Sequence, residues 1–358
     1  GGRTTIAIFI GIRDTTHAGP CQVFYRDIGD YLTREEKLAI VAVGNLDSID
    51  WQSIASNEHG DWVSQRSDEF LAWPVLGQKR GSVDAVEVFG NYSLGLATGR
   101  DVWCYNASES ALTDNVNTMI SAYELARQTF HETTTVRKPN EAVVNEFLDA
   151  HPSLVKRDQI SWNRNAKQDL AKDRPYSFHG DSLVMAAYRP FVAQNCYFHR
   201  DMNAMLYQLP AMFPTSDLPN FGFCLLGGTP EAVSVLAVNT IPDLNFFGFG
   251  GQFFPRWAYE QVDSDSATLD FADPGDADEY GYRRVDNITD WALKQFTAHY
   301  ADEIGKGKSA RKITKEGIFH YCYAVLHDPL YREKYAQNLK REFPRIPFYK
   351  DFWQWAAW

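Results

Sequence analysis

Basic and amide side chains collect in a few stretches of this chain, and they have the clearest capacity for chemistry. Arg can bridge O6 and N7 of guanine in the major groove, and Asn or Gln can bridge N6 and N7 of adenine. Lys and further Arg residues neutralise phosphates and fix the register of a protein on a duplex. The candidate DNA-contacting residues are Asn163, Arg164, Asn165, Lys167, Arg174, Arg189, Arg200, Gln252, Arg256, Lys308, Arg311 and Lys312.

Each of these side chains also has a simpler interpretation. A surface ion pair or a hydrogen-bonded loop uses the same residue types, and most contacts at protein–DNA interfaces go to the backbone, not to bases. Arg189, which precedes Pro190, and Arg100, in Thr98–Asp101, would equally suit buried ion pairs of the scaffold.

The net charge of −11 argues at first sight against nucleic acid, because duplex affinity rests on cations that meet phosphates. The charges are segregated, however. Acidic residues dominate between Glu260 and Asp290, whereas basic residues concentrate in 156–200 and 306–315. A chain patterned in this way can present a basic face despite its acidic total, although ordinary solvated surface charge explains the same pattern.

Metal and nucleotide motifs are missing from the sequence. The histidines are dispersed without an H-E-x-x-H arrangement, and the acidic run Asp263–Glu279 lacks the glycine and the terminal glutamate of a calcium loop. A G-x-x-x-x-G-K-S/T loop for ATP is also absent. The sequence therefore predicts neither a metal site nor a catalytic residue in this chain.

Hydrophobic periodicity predicts both helices and strands. Apolar residues at helical spacing predict helices over Asp114–Phe130, from Pro139 to Ala150, and on both sides of Asp328-Pro329 in the hairpin Gly317–Phe348. Thr33 and Glu36 form a capping-box pattern before a short helix. Phe221–Leu226 predicts a buried strand, and Thr229-Pro230 predicts the start of a helix over Glu231–Val238. Thr4–Arg13 and Cys21–Arg26, separated by Gly19-Pro20, predict a hairpin.

Several stretches together resemble the C-terminal specificity region of type ISP, or single-polypeptide, restriction-modification enzymes and of related adenine-specific DNA methyltransferase–helicase proteins. They are YAVLHDPLYREKYAQNLKREFPRIPF at 323–348, NYSLGLATGRDVWCYN at 91–106, WNRN at 162–165, YRPF at 188–191, IPDL at 241–244 and GGQFFP at 250–255. They occur in order over most of the chain, so the resemblance is broad.

The resemblance implies an α/β (α+β) chain in which a terminal β-hairpin of a methyltransferase sheet precedes a large mixed α+β target-recognition region. We expect residues 1–50 to be the hairpin and helix that close the methyltransferase domain, 51–82 to be a connector, and 83–358 to be the specificity region, which allows a subdivision near residue 150. The chain would then begin inside the methyltransferase domain.

The same resemblance implies sequence-specific recognition of double-stranded DNA, with the methyltransferase domain of a parent chain as a second partner. The parent enzyme would use S-adenosylmethionine, ATP and Mg²⁺. The Gly-rich cofactor loop and the Asn-Pro-Pro-aromatic motif of such methyltransferases are absent here, so we expect this chain to carry no cofactor and no catalysis of its own.

Two other functions stay open on the residues alone. Basic blocks could dock protein in an inter-domain scaffold, and ten tryptophans could line a cleft of a polysaccharide-acting hydrolase. Five scattered cysteines indicate reduced thiols and predict a cytoplasmic protein without a membrane partner.

Overall fold

A computed structural model describes residues 7–29, 32–63, 65–78, 86–229, 233–262, 277–305 and 310–358. The chain divides into two compact units, Gly1–Arg66 and Ser67–Trp358. The division falls inside the segment 51–82 that was expected to be a connector, while the predicted domain bounds themselves stay predictions. No helix among the described residues is long and apolar enough to cross a membrane.

The first unit contains strand β1 (Val23–Tyr25), helix α1 (Arg34–Val43) and strand β2 (Gln52–Ile54). The predicted capping box is confirmed: Thr33 Oγ1 accepts from the Glu36 amide, and the Glu36 carboxylate accepts from the Thr33 amide at 2.7 Å.

The predicted pairing of Thr4–Arg13 with Cys21–Arg26 is wrong for the residues that the structure describes. Residues 7–14 form no strand, and β1 pairs in antiparallel fashion with β2; residues 4–6 lie outside the described part. The side chains of Ile8 and Phe9 are 76% and 91% exposed. An apolar strand gains little from a two-stranded hairpin that buries neither face, because such hairpins are marginal in water.

The second unit mixes helices and strands, as expected for an α+β region. Its strands are β3 (Ser93–Leu94), β4 (Tyr105–Asn106), β5 (Leu183–Arg189), β6 (Val192–Tyr197), β7 (Gly222–Leu226), β8 (Ser234–Val238), β9 (Ile241–Pro242), β10 (Gln252–Pro255), β11 (Trp257–Gln261) and β12 (Tyr282–Asp286). Its helices are α2 (Asp101–Cys104), α3 (Glu109–Thr133), α4 (Glu141–Ala150), α5 (Arg164–Ala171), α6 (Asp290–His299), α7 (Ala301–Ile304), α8 (Lys315–His327), α9 (Pro329–Lys334), α10 (Ala336–Leu339) and α11 (Phe352–Ala357).

Most of the periodic segments adopt the predicted structure. Helices α3, α4, α8 and the strand β7 are confirmed, and Asp328 caps α9 through Leu330 N at 3.0 Å. The predicted second helix of the hairpin is split at Tyr335 into α9 and α10.

The predicted helix over Glu231–Val238 is wrong. Residues 234–238 form strand β8, which pairs along its whole length with β7; residues 230–232 lie outside the described part. Val235 and Leu236 alternate between the two faces of the sheet, and that partnership with a buried strand outweighs the local helix-start signal.

Two four-stranded sheets and two hydrophobic cores organise the second unit, and β11 and β12 form a separate antiparallel pair. The central sheet has the order β3-β10-β7-β8, and a second sheet has the order β4-β6-β5-β9, in which only β5 and β9 are parallel. The first core lies around Met119, Tyr123 and Tyr197, on α3 and the second sheet. The second core lies around Phe296, Tyr321 and Phe352, on α6, α8 and α11.

The central sheet separates these cores and contributes side chains to both. In β7, Phe223 and Leu225 belong to the second core while Cys224 belongs to the first; in β10, Phe254 belongs to the second and Phe253 to the first. Successive side chains of a strand point to opposite faces. A shift of one residue in either strand would therefore exchange the contents of both cores.

Gly222 lets β7 approach β10 at the start of their pairing. A Cβ there would lie 2.3 Å from the carbonyl oxygen of Phe254 and 2.7 Å from Pro255 Cα. Both contacts are to backbone, which a small side-chain movement cannot relieve.

We expect Gly222→Ala to lower the free energy of unfolding by about 1–3 kcal/mol, since overpacking of a core costs that much. Gly227→Ala is the matched control, because a Cβ there meets nothing closer than 3.8 Å. Chemical denaturation of both variants measures the difference. Equal unfolding free energies would contradict the close approach of β7 and β10.

Candidate nucleic-acid interface

Helix α5 carries four of the candidate residues at its amino-terminal end. Asn163 caps the helix, because its Oδ1 accepts from the Ala166 amide at 2.8 Å. The side chain of Arg164 is 79% exposed, with its Nε 3.9 Å from the Glu141 carboxylate. Asn165 Nδ2 donates to the Ala204 carbonyl at 2.7 Å, and Lys167 Nζ donates to Asn145 Oδ1 at 2.8 Å. Arg164 is thus the most available of the four for an outside anion.

A groove of about 520 Å³ opens beside α5. Trp103 and Trp162 line it together with the cations of Arg157 and Lys167. The Trp162 indole is held by a hydrogen bond to the Leu154 carbonyl at 3.0 Å. Aromatic rings beside cations can stack a base while the cations meet its phosphate.

Arg200 lies between two buried carboxylates, Asp169 on α5 and Asp201 after β6, and Arg174 follows α5 in the chain. Arg200 Nη1 is 3.0 Å from Asp201 and Nη2 is 3.3 Å from Asp169. The Arg174 amide donates to the Asp169 carbonyl at 3.0 Å, while its side chain is exposed and forms no ion pair with any described residue. The structure therefore brings Arg174 and Arg200 together with the residues of α5.

Arg189 is committed to a buried carboxylate. Its Nη1 lies 2.7 Å from Asp243 Oδ1, and its guanidinium stacks on Tyr188 at 4.0 Å. This is the scaffold ion pair that the sequence left open as an alternative. Arg100 is buried as well, but it contacts Met119 Sδ at 3.4 Å and has no carboxylate partner among the described residues. Burial lowers the pKa of that guanidinium.

Arg256 and Gln252 lie at the central sheet. Arg256 is 3% exposed and binds both oxygens of Asp286, at 2.6 and 2.9 Å, with its guanidinium over Trp257. Gln252 is paired through its backbone to both neighbouring strands. This geometry favours a positioning role for Arg256, and its contact with DNA stays a prediction.

Arg311 and Lys312 belong to the part of the unit that holds the second core. The Arg311 guanidinium stacks on Trp353 at 4.1 Å, and Lys312 is exposed. Lys308 lies outside the described residues.

Several distant stretches of the sequence meet at Asp243, which belongs to the IPDL stretch at 241–244 but was not among the candidate site residues. Besides Arg189, the Tyr105 hydroxyl donates to its Oδ2 at 3.1 Å. Leu96 N donates to the Pro242 carbonyl at 2.8 Å, and a Cβ on Gly95 would lie 2.3 Å from the Asp243 carbonyl oxygen. Burial raises the pKa of the Asp243 carboxyl, against the lowering effects of the Asn245 amide and Arg189. No spacing rule relates residues so far apart, so the sequence offered no signal for this convergence.

The chain matches the model of the type ISP C-terminal specificity domain over residues 87–358. It belongs to this family. This specificity domain places the stretches that carried the sequence resemblance, at 91–106, 188–191 and 241–244, in direct contact around Asp243. The buried contacts around Asp243 therefore give these stretches a scaffold role.

Three solved structures are similar to the specificity domain. A nuclease-deletion mutant of the type ISP restriction-modification enzyme LlaGI, in complex with a DNA substrate mimic, has a TM-score of 0.70 and 27% identity over 94% of this chain and 27% of that one. DrdV in its DNA complex has a TM-score of 0.70 and 31% identity, over 94% and 30%. The ATP-dependent type ISP enzyme LlaBIII bound to DNA has a TM-score of 0.64 and 25% identity, over 86% and 17%.

The chain thus spans less than a third of the length of these enzymes. A search of curated proteins found no significant match.

We expect Asp243→Asn to lower the free energy of unfolding of the specificity domain by about 3 kcal/mol. This value is the lower end of the range for breaking a buried ion pair, because the Arg189 side chain is a third exposed. Asp158→Asn, at an exposed position, should change the unfolding free energy by less than about 0.5 kcal/mol. Denaturant titration followed by circular dichroism measures both. An Asp243→Asn variant as stable as the parent would show that the scaffold does not depend on this carboxylate.

Proposed function

We propose that this specificity domain reads a short sequence of double-stranded DNA for a single-chain restriction-modification enzyme. The observation that carries the proposal is the likeness over 94% of the chain to a type ISP enzyme in complex with a DNA substrate mimic. Neither the scaffold nor the hydrolase alternative is favoured by an observation of comparable extent.

The exposed cations around α5 would hold the DNA backbone. Arg164 and Arg174 are the exposed cations among the candidates on and next to α5. Phosphate contacts of this kind fix register, whereas bases are read by side chains that reach the groove. Arg200 still has N–H groups beyond those on Asp169 and Asp201, and its side chain is 39% exposed. It is the candidate best suited to combine a fixed position with base contact.

In a parent enzyme, the domain would present an adenine to a methyltransferase domain. Enzymes that modify a base must take it out of the stack, so the specificity domain would hold the flanking duplex while the target is flipped. S-adenosylmethionine, ATP and Mg²⁺ would be bound by other domains of the parent, and the protein would act in the cytoplasm on bacterial DNA.

A duplex-binding titration at several salt concentrations tests the phosphate contacts. We expect affinity to fall steeply with salt. In Arg164→Ala plus Arg174→Ala, the slope of log K against log salt should become shallower by about 2, because each substitution removes one cation from a phosphate.

The matched control is Lys340→Ala plus Lys350→Ala, which removes the same charge from exposed positions outside the candidate site. This variant should keep the parental slope. An equal reduction of the slope in both variants would attribute the effect to net charge alone. Binding that is absent at low salt would contradict DNA affinity in this chain and favour the scaffold function.

A further inference from the structure

Two histidines and an aspartate meet at the open end of the β5–β6 hairpin. His179 precedes the short turn Gly180–Ser182 that enters β5, and His199 and Asp201 follow β6. One ligand atom from each of the three side chains lies within 4.8 Å of the others. No sequence motif predicts this group, because the two histidines are 20 positions apart in the chain.

Hydrogen bonds hold the two backbone segments together. The His179 amide donates to the Tyr197 hydroxyl at 2.8 Å, and the Phe198 amide donates to the Ser182 carbonyl at 2.8 Å. The two imidazole rings lie 4.5 Å apart with 25° between their planes. The fold itself therefore brings the rings together.

Asp201 is oriented for a shared ligand. It is 6% exposed, and its Oδ1 is held by Arg200 Nη1 at 3.0 Å, while its Oδ2 lies 3.4 Å from His199 Nδ1. A ligating carboxylate that is also held by an outer hydrogen bond is a recurring feature of metal sites.

We propose that His179, His199 and Asp201 bind a divalent transition-metal ion of the Zn²⁺ class. Imidazole nitrogens suit Zn²⁺ and its neighbours, whereas Mg²⁺ and Ca²⁺ prefer oxygen ligands. Metal–ligand distances of about 2.0–2.2 Å require the three atoms to draw closer than they lie here. His179 is exposed, so rotation of its side chain supplies that movement. The rotation either keeps or breaks the present contact between His179 Nε2 and Ser177 Oγ, which are 3.0 Å apart.

Nearby charge does not forbid a cation. Arg200 is the neighbouring cation, and its Nη1 lies 3.0 Å from Asp201 and its Nη2 3.3 Å from Asp169, so two carboxylates face its single positive charge. Three protein ligands leave a coordination position for water, and the ion would fix the end of the hairpin that carries Arg200.

Isothermal titration of the 358-residue chain with Zn²⁺ tests the site. The background is Cys21→Ser, because Cys21 is an exposed thiol that could bind zinc on its own. We expect one saturable site per chain, a higher melting temperature in Zn²⁺ by mass action, and no saturable heat with Mg²⁺.

His179→Ala should weaken Zn²⁺ binding at least about tenfold, since removal of even an outer-shell partner costs that much, and should abolish the thermal shift. Because His179 is exposed, the substitution should leave folding intact, and the variant should melt at the parental temperature when no metal is present. His320→Ala, another exposed histidine, is the matched control and should bind like the parent. A parent chain without saturable heat, or equal affinity in His179→Ala, would overturn the proposal.

Discussion

The alternation of side chains across the central sheet is the constraint on which the second unit depends. Strands β7 and β10 are covered on both faces, so successive side chains of each strand pack into different cores. Cys224 and Phe253 pack into the first core, and Phe223 and Phe254 pack into the second. One sheet thereby fixes the register of two cores at once. The long α3 shares the first core with one face of this sheet, and the aromatic helices α6 and α8 share the second core with the other face.

The proposed DNA contacts depend on a set of buried contacts in this unit. Asp243 follows β9, and its buried carboxylate binds Arg189 and Tyr105, while the backbone on either side of it pairs with Leu96 after β3. Removal of the carboxylate would leave the Arg189 cation and the Tyr105 hydroxyl without their shared partner. The groups that can still meet an outside ligand, chiefly Arg164, Arg174 and part of Arg200, project from α5 and its neighbours. Specificity domains must hold such groups still, since base readout depends on their position.

Sequence reasoning succeeded where structure is local. The helix period of α3, the capping box of α1 and the buried strand β7 were all predictable, because each depends on neighbours a few residues away. It failed at β8, where pairing with β7 overrode a helix-start signal, and at the amino-terminal hairpin. Basic residue types alone could not separate the exposed Arg164 from Arg256, which is buried on Asp286. The meeting of His179 with His199 likewise depends on hairpin geometry that no spacing encodes.

The central claim is that this chain distinguishes DNA sequences, and selection from a randomised duplex library at physiological salt tests it most directly. Sequencing of the retained duplexes should reveal one enriched asymmetric motif, because specific readout adds to the salt-dependent backbone term. Retained duplexes without sequence bias, from a protein that still binds DNA, would contradict the account and leave only backbone affinity.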